Sequence, residues 1–159
     1  MVLKMISGGQ TGADLGGLKA AKKLGIPTGG EAPKGFKTEL GCNLELQSIY
    51  GLKESPSEDY GIRTVVNIRS SDATLIFSSN AKSPGTKLTI KHCEKLYKPY
   101  IIIDPKLESA TDLTKAFLEK QYVRFRKRII LNVAGNRESK SPGTEAKVGQ
   151  ILLKVLEQK

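Results

Sequence analysis

The sequence predicts a three-layer α/β sandwich, with a mostly parallel sheet of about five strands and helices on both faces. Three observations lead there. Short runs of branched apolar residues recur along the chain, apolar throughout, as strands buried on both faces are. Between them lie stretches whose apolar residues repeat at helical spacing. The two kinds of segment alternate, which is the order a parallel sheet with crossover helices requires.

Taken in order, "VLKMI" (Val2–Ile6) is the first strand, ending in glycines. Leu15, Leu18, Ala21 and Leu24 mark a helix that Gly25 and Pro27 stop. A loop-rich stretch follows, with a short strand near Ile26–Thr28. At "SPSEDYGIRTVVNIRSSD" the signals conflict, because Ile62, Val65, Val66 and Ile68 suit a strand. Ser55 and Glu58 form a capping box, with Pro56 at the first helical position, and this favours a helix. "ATLIF" (Ala73–Phe77) is the next strand, followed by a helix from about Gly85 to Tyr97. "YIIID" (Tyr100–Asp104) precedes a helix with Ser109 and Asp112 at its start, carrying Leu113, Ala116, Phe117 and Val123. "IILNVAG" (Ile129–Gly135) is the last strand, and Val148, Ile151, Leu152, Val155 and Leu156 line the closing helix.

The 159 residues are read as one domain, 1–159, with no linker or low-complexity segment. No apolar run reaches the ~18 residues of a membrane span, and "MVLKMISGGQTG" lacks a signal peptide's apolar region. The expected location is the cytoplasm, with no membrane partner. Cys42 and Cys93 make no disulfide framework, and His92 has no second His or Cys at metal-ligand spacing, so no metal ligand is assigned. The net charge of +10, from 26 Lys+Arg against 16 Asp+Glu, favours an anionic partner. "RFRKR" (Arg124–Arg128) is the only basic cluster, the other cations being spread along the chain, so nucleic acid is not the expected partner.

In an open parallel sheet, ligands sit outside the C-terminal ends of the strands, where helix N-termini attract anions. Three loops there have the required form. "SGGQTGAD" (Ser7–Asp14) combines Gly8, Gly9 and Gly12 with Gln10 and Thr11; its GGxxG spacing is neither a dinucleotide fingerprint nor a P-loop. "SSNAKSPGTKL" (Ser78–Leu88) offers Lys82, Ser83 as cap, Gly85 with an accessible amide and the Thr86 hydroxyl. "GNRESKSPGTEA" (Gly135–Ala146) repeats KSPGT, with Gly143 and Thr144, and adds Arg137, which suits a phosphate or oxyanion. Each KSPGT is also a plain helix cap; two copies, each after a strand, favour a shared site. The carboxylates Asp14, Glu31, Asp72 and Glu138 form no marked acid–base pair.

"ISGGQTGAD", "GIPTGGEAPKG", "RTVVNIRSSDATLIFS" and "LNVAGNRES…PG" come in an order that resembles the molybdenum carrier proteins. That family is a circularly permuted, YpsA-like branch of the SLOG (lysine-decarboxylase-like) superfamily, which also includes cytokinin-activating nucleotide hydrolases. The resemblance runs from about Met5 to Leu156 and implies a Rossmann-like fold and a homo-oligomer, dimer or tetramer. It implies a ligand such as molybdenum cofactor (a pterin with phosphate and an oxo-metal head) or a nucleotide. It places that ligand at Gly8–Gly12, near Gly85 and Thr86, and near Gly135–Ser139, which adds Glu138 and Ser139 to the candidate binding residues. Two departures matter. The hydrolase relatives carry a PGGxGTxxE loop with a catalytic Glu, where this chain has Thr89 in the first copy and Lys147 in the second. The family usually reads Pro where this chain has Asn136. The expected function is a binding or carrier protein for an anionic nucleotide- or pterin-type cofactor, with no catalytic residue assigned; a nucleotide (phosphoribosyl) hydrolase is the alternative.

Overall fold

The structure, a computed structural model, describes residues 1–157. The chain begins with β1 (Val2–Ser7) and α1 (Ala13–Lys23), then β2 (Thr28–Gly29). An excursion follows: β3 (Glu31–Ala32), β4 (Lys37–Thr38), β5 (Gly41–Cys42), the short α2 (Glu45–Ser48) and β6 (Lys53–Glu54). The main sheet resumes through α3 (Tyr60–Arg69), β7 (Ala73–Phe77), α4 (Pro84–Lys95), β8 (Tyr100–Ile103), α5 (Ala110–Phe125), β9 (Ile129–Gly135) and α6 (Thr144–Leu156).

The sheet has five strands in the order β2-β1-β9-β7-β8, and all four pairings are parallel. The fold is Rossmann-like, as expected. The last strand in sequence lies in the middle of the sheet, between β1 and β7. From β1 the chain winds outward to β2, and from β7 it winds the other way to β8. The change of direction opens a crevice at the C-terminal ends of β1, β9 and β7.

Two layers of helices cover the sheet. On one face α1, α5 and α6 bury Ala20, Ala21, Leu118, Val148, Ile151 and Leu152 against Met5, Leu75, Phe77, Leu131 and Val133. On the other, α3 and α4 pack side by side, and Ile6, Ile76, Ile68 and Cys93 are buried. A smaller core of Leu18, Ala32, Phe36, Leu46, Tyr50 and Leu52 seats the 31–54 excursion on α1.

Two local expectations change. The capping box at Ser55 does not start α3: Ser55 still belongs to the β3–β6 ladder, donating its N–H to Ala32 O (2.7 Å). Asp59 caps instead, its Oδ1 accepting from the Gly61 N–H at 2.8 Å, and the helix begins at Tyr60. The two KSPGT copies also differ. The first opens α4 with Pro84 as its first residue. In the second, Ser141 and Pro142 form a turn, Gly143 takes a left-handed conformation (φ 89°), and α6 begins only at Thr144.

The contact between α1 and α6 is tight enough to dictate residue type. A β-carbon on Gly16 would lie 2.6 Å from the Glu145 carbonyl oxygen, a backbone atom that cannot move aside cheaply. Facing it, Gly149 has 3.8 Å of room to its nearest neighbour. Gly16→Ala is therefore expected to destabilise the protein by about 1–3 kcal/mol. Gly149→Ala is expected to stabilise it by about 0.5–1 kcal/mol through helix propensity alone. Chemical denaturation of the two variants measures both.

Candidate functional site

The crevice is held together at one residue. Asn136, just past β9, donates its N–H to Phe77 O at the end of β7 (2.9 Å) and accepts the Ala13 N–H at the start of α1 (3.0 Å). Its side-chain Oδ1 accepts the Ser79 N–H (2.9 Å). Proline there could make neither the backbone donation nor the side-chain bond. The junction leaves no space for side chains. A β-carbon on Gly135 would run into Phe77 O, and one on Gly12 into Asn136 O.

The three loops that look alike in sequence differ in how their helix N-termini are satisfied. At α6 the Glu138 carboxylate accepts the Gly143 N–H (2.7 Å) and the Glu145 N–H (2.9 Å), so an internal anion takes the place. At α1 the Ala13 N–H is spent on Asn136 O, and the loop is clamped from outside. There Thr11 and Ser139 hydroxyls donate to Glu39, whose carboxylate also accepts the Ser139 N–H at 3.1 Å. Burial works against the Glu39 anion, but the bonds from Ser139 and Thr11 outweigh it and hold its pKa below the ordinary carboxylate value. At α4, Ser83 makes no side-chain cap; its hydroxyl donates to Thr86 Oγ1 (2.8 Å), which donates in turn to Ser78 Oγ (3.0 Å). No neighbour lies within 4 Å of a β-carbon built on Gly85. Of the three, α4 is the helix whose first turn opens on space.

That space is a cavity of about 600 Å³, between the C-terminal ends of β9 and β7 and the helices α3 and α4. Of the predicted residues, Gly8, Gln10, Ser83, Gly85, Thr86, Gly135 and Arg137 line it, with Lys82 and Lys140 at the mouth. Gly9, Thr11, Gly12, Glu138, Ser139, Gly143 and Thr144 stand behind this lining. Gly9, with φ 79°, packs on Leu46 and Leu52, and Thr144 donates to Ser141 O (2.6 Å).

One wall was not anticipated. Tyr60, Arg63, Thr64 and Asn67 of α3 face the cavity. The signal was present: these four polar residues fall at i, i+3, i+4 and i+7, one face of the helix. The conflict between helix and strand in that stretch hid it. Arg63 lies against Gly8, where a β-carbon would fall on its guanidinium and the arginine would have to move aside. Its side chain is 12% exposed, its Nε is buried without a hydrogen-bond partner, and Nη1 stands 3.9 Å from Asp14 Oδ2. The Tyr60 ring lies 5.0 Å from the guanidinium carbon. A buried guanidinium with unspent donors is costly to the fold and suited to an incoming acceptor.

Asp14 shares this floor and accepts the Gln10 N–H (3.0 Å). Burial pushes its pKa from 3.8 up to about 6, more than nearby Arg63 and the Gln10 bond pull it down. Thr89 lines the same cavity but donates its hydroxyl to Gly85 O (3.0 Å). Among the described residues no group of three or more His, Cys, Asp or Glu side chains could hold a metal ion, and no helix is long and apolar enough to cross a membrane.

Because the raised Asp14 pKa means the folded state holds its proton longer than the unfolded chain, this group's contribution to stability falls as pH rises from about 4 to about 6. Relative to Asp14→Asn, the wild type should lose up to about 3 kcal/mol across that window. Denaturation curves at several pH values, with a carboxyl titration by NMR centred near pH 6, check this.

No curated protein matches this chain. A crystal structure described as "Putative molybdenum carrier protein", from Syntrophus aciditrophicus SB, is 35% identical, with a TM-score of 0.84 over 99% of this chain and 96% of that one. Residues 5–156, which carry both the sheet and the cavity, match the family described as "Circularly permutated YpsA SLOG family". With the match spanning nearly the whole fold, the chain belongs to the circularly permutated YpsA SLOG family.

Proposed function

We propose that this protein binds an anionic small molecule of the nucleotide or pterin-phosphate class in the crevice cavity, and serves as a binding or carrier protein. The observation that carries this reading is Arg63: a buried cation whose donors the protein itself leaves unused, facing the open first turn of α4. Lys82, Lys140 and Arg137 add positive charge at the mouth, and Asp14 is the one carboxyl in the lining. At about 600 Å³ the cavity is within the usual range for small-molecule sites.

The relative described as a molybdenum carrier supports molybdenum cofactor as one candidate. The donor set fits such a group in part. Open amides, hydroxyls and guanidinium groups suit its phosphate and oxo groups, while the described residues supply no cluster of metal ligands. Gly85, Thr86 and Lys82 would hold the phosphate, Arg63 an acceptor on the inner half, and Arg137 would close the mouth. The cofactor, when bound, supplies the redox-active metal; the protein's part is to bind and orient it.

A nucleotide hydrolase is the second reading, and Asp14 is the residue that favours it, being a buried cavity carboxyl with a pKa near 6. Release of free base from nucleoside monophosphates, abolished in Asp14→Asn, would establish hydrolysis; no release above background rules it out.

Calorimetry with molybdate, pterin phosphates, AMP and ADP-ribose, against inorganic phosphate, tests the binding reading, which fails if none binds better than phosphate. Arg137→Ala is expected to lower affinity about tenfold or more, near 1.4 kcal/mol, with an unchanged melting temperature. Arg63→Met should behave differently, abolishing measurable binding and, with the cation beside Asp14 gone, raising the Asp14 pKa further and lowering stability near neutral pH. Equal affinity in either variant removes that residue from the site.

A further inference from the structure

The positive charge is not concentrated at the cavity. Every helix flanking the sheet runs back from the crevice, so its last turn falls at the opposite, N-terminal rim of the strands. Basic residues occupy these last turns: Lys22 and Lys23 in α1, Arg69 in α3, Lys95 in α4, Arg124 in α5 and Lys154 in α6. Complementing the helix dipoles accounts for cations in such turns. It does not account for Lys98, Arg126, Lys127 and Arg128, which lie past the helices, in the turns entering β8 and β9.

The sheet order lines these turns up. The turn at Arg126–Arg128 lies beside the chain start, because the Ile129 N–H donates to Met1 O (3.1 Å). The turn before β8 is tied to the turn before β7 by Lys98, whose Nζ donates to Ser71 O (2.9 Å). The five strand entries thus form a row about 19 Å long, from four spacings of ~4.8 Å. Of the acids at this rim, Glu119 and Glu157 lie beside Met1, and two others are engaged. Asp72 pairs with Lys127 (3.1 Å) and accepts the Ile130 N–H, and Glu94 accepts the Tyr100 hydroxyl at 2.7 Å. Arg124, Arg126 and Arg128 are exposed and, among the described residues, have no carboxylate partner.

The row also presents rings. Tyr97 is 90% exposed, held in a left-handed turn (φ 54°) between Lys95 and Lys98. Arg124 lies over the Phe125 ring at 5.6 Å. An acidic protein surface would need the charge alone. Charge together with a projecting ring is the combination that single-stranded nucleic acid uses, phosphates on the cations and a base on the aromatic face. A row of this length suits the four or so nucleotides of a small single-strand site.

We propose that the N-terminal rim of the sheet, opposite the cavity, binds single-stranded nucleic acid, with Arg124, Arg126 and Arg128 on the phosphates and Tyr97 stacked on a base. Fluorescence anisotropy with labelled oligouridylate and oligothymidylate, from about 25 to about 200 mM salt, tests it on the full chain, and comparing the two tells RNA from DNA. With three phosphates neutralised, by Arg124, Arg126 and Arg128, log K should fall against log salt with a slope of about −2. Arg126→Gly with Arg128→Ser should reduce that slope by about 1.4, the share of two contacts; glycine is chosen because Arg126 has φ 51°. Tyr97→Asn should weaken binding about tenfold with the slope unchanged. Unchanged melting temperatures would show that the variants are folded. No binding at the lowest salt, a slope unmoved by the double variant, or equal affinity for a polyglutamate peptide would overturn the proposal.

Discussion

The rim depends on the three hydrogen bonds of Asn136. Loops at the end of a parallel sheet carry backbone groups that no strand pairs, and each must find a partner. Asn136 serves the end of β7, the start of α1 and the loop after β7 at once. It can do so because β9, the last strand made, lies between the first strand and β7. With three chain segments meeting at van der Waals distance, Gly12 and Gly135 follow as steric necessities. Much of the glycine-rich character of the loops thus belongs to the junction and not to a ligand.

The same junction sorts the helix N-termini. Of the helices that start at this rim, α1, α4 and α6 follow the three strands that frame the crevice, and each of these starts is an attractive place for an anion. The protein fills or seals two of them itself, with Glu138 at α6 and with the Asn136 carbonyl at α1, where Glu39 clamps the adjoining loop. The start of α4 lacks such a filling, and the cavity lies against it. Opposite, the fold tolerates a poorly satisfied buried guanidinium and a carboxyl whose charged form burial disfavours. Places where the rules of folding are broken in this way are where function is usually found.

Topology also divides the charge. Helices of a parallel α/β fold start at one rim and end at the other, so cations dispersed through the sequence are gathered by which end of a helix they occupy. Arg63, Lys82, Arg137 and Lys140 come to the cavity, while Lys95, Lys98, Arg124 and Arg126–Arg128 come to the far side. These cations thus form two separate groups, one at each rim.

The main-sheet strands and the long helices were legible in the sequence because each rests on short-range periodicity. "ATLIF" and "IILNVAG" became β7 and β9 at the expected residues. The start of α3 was misplaced, since whether Ser55 caps a helix depends on a strand partner, Ala32, that local pattern does not reveal. The two KSPGT copies make the same point more sharply. Five identical residues promise two equal helix starts, yet one start is open and the other is occupied by Glu138. The alternation of strands and helices, and hence the meeting of these loops at one rim, follows from local periodicity. Which loop stays open, and that Arg63 stands across from it, depends on hydrogen-bond partners and burial supplied by residues distant in the chain.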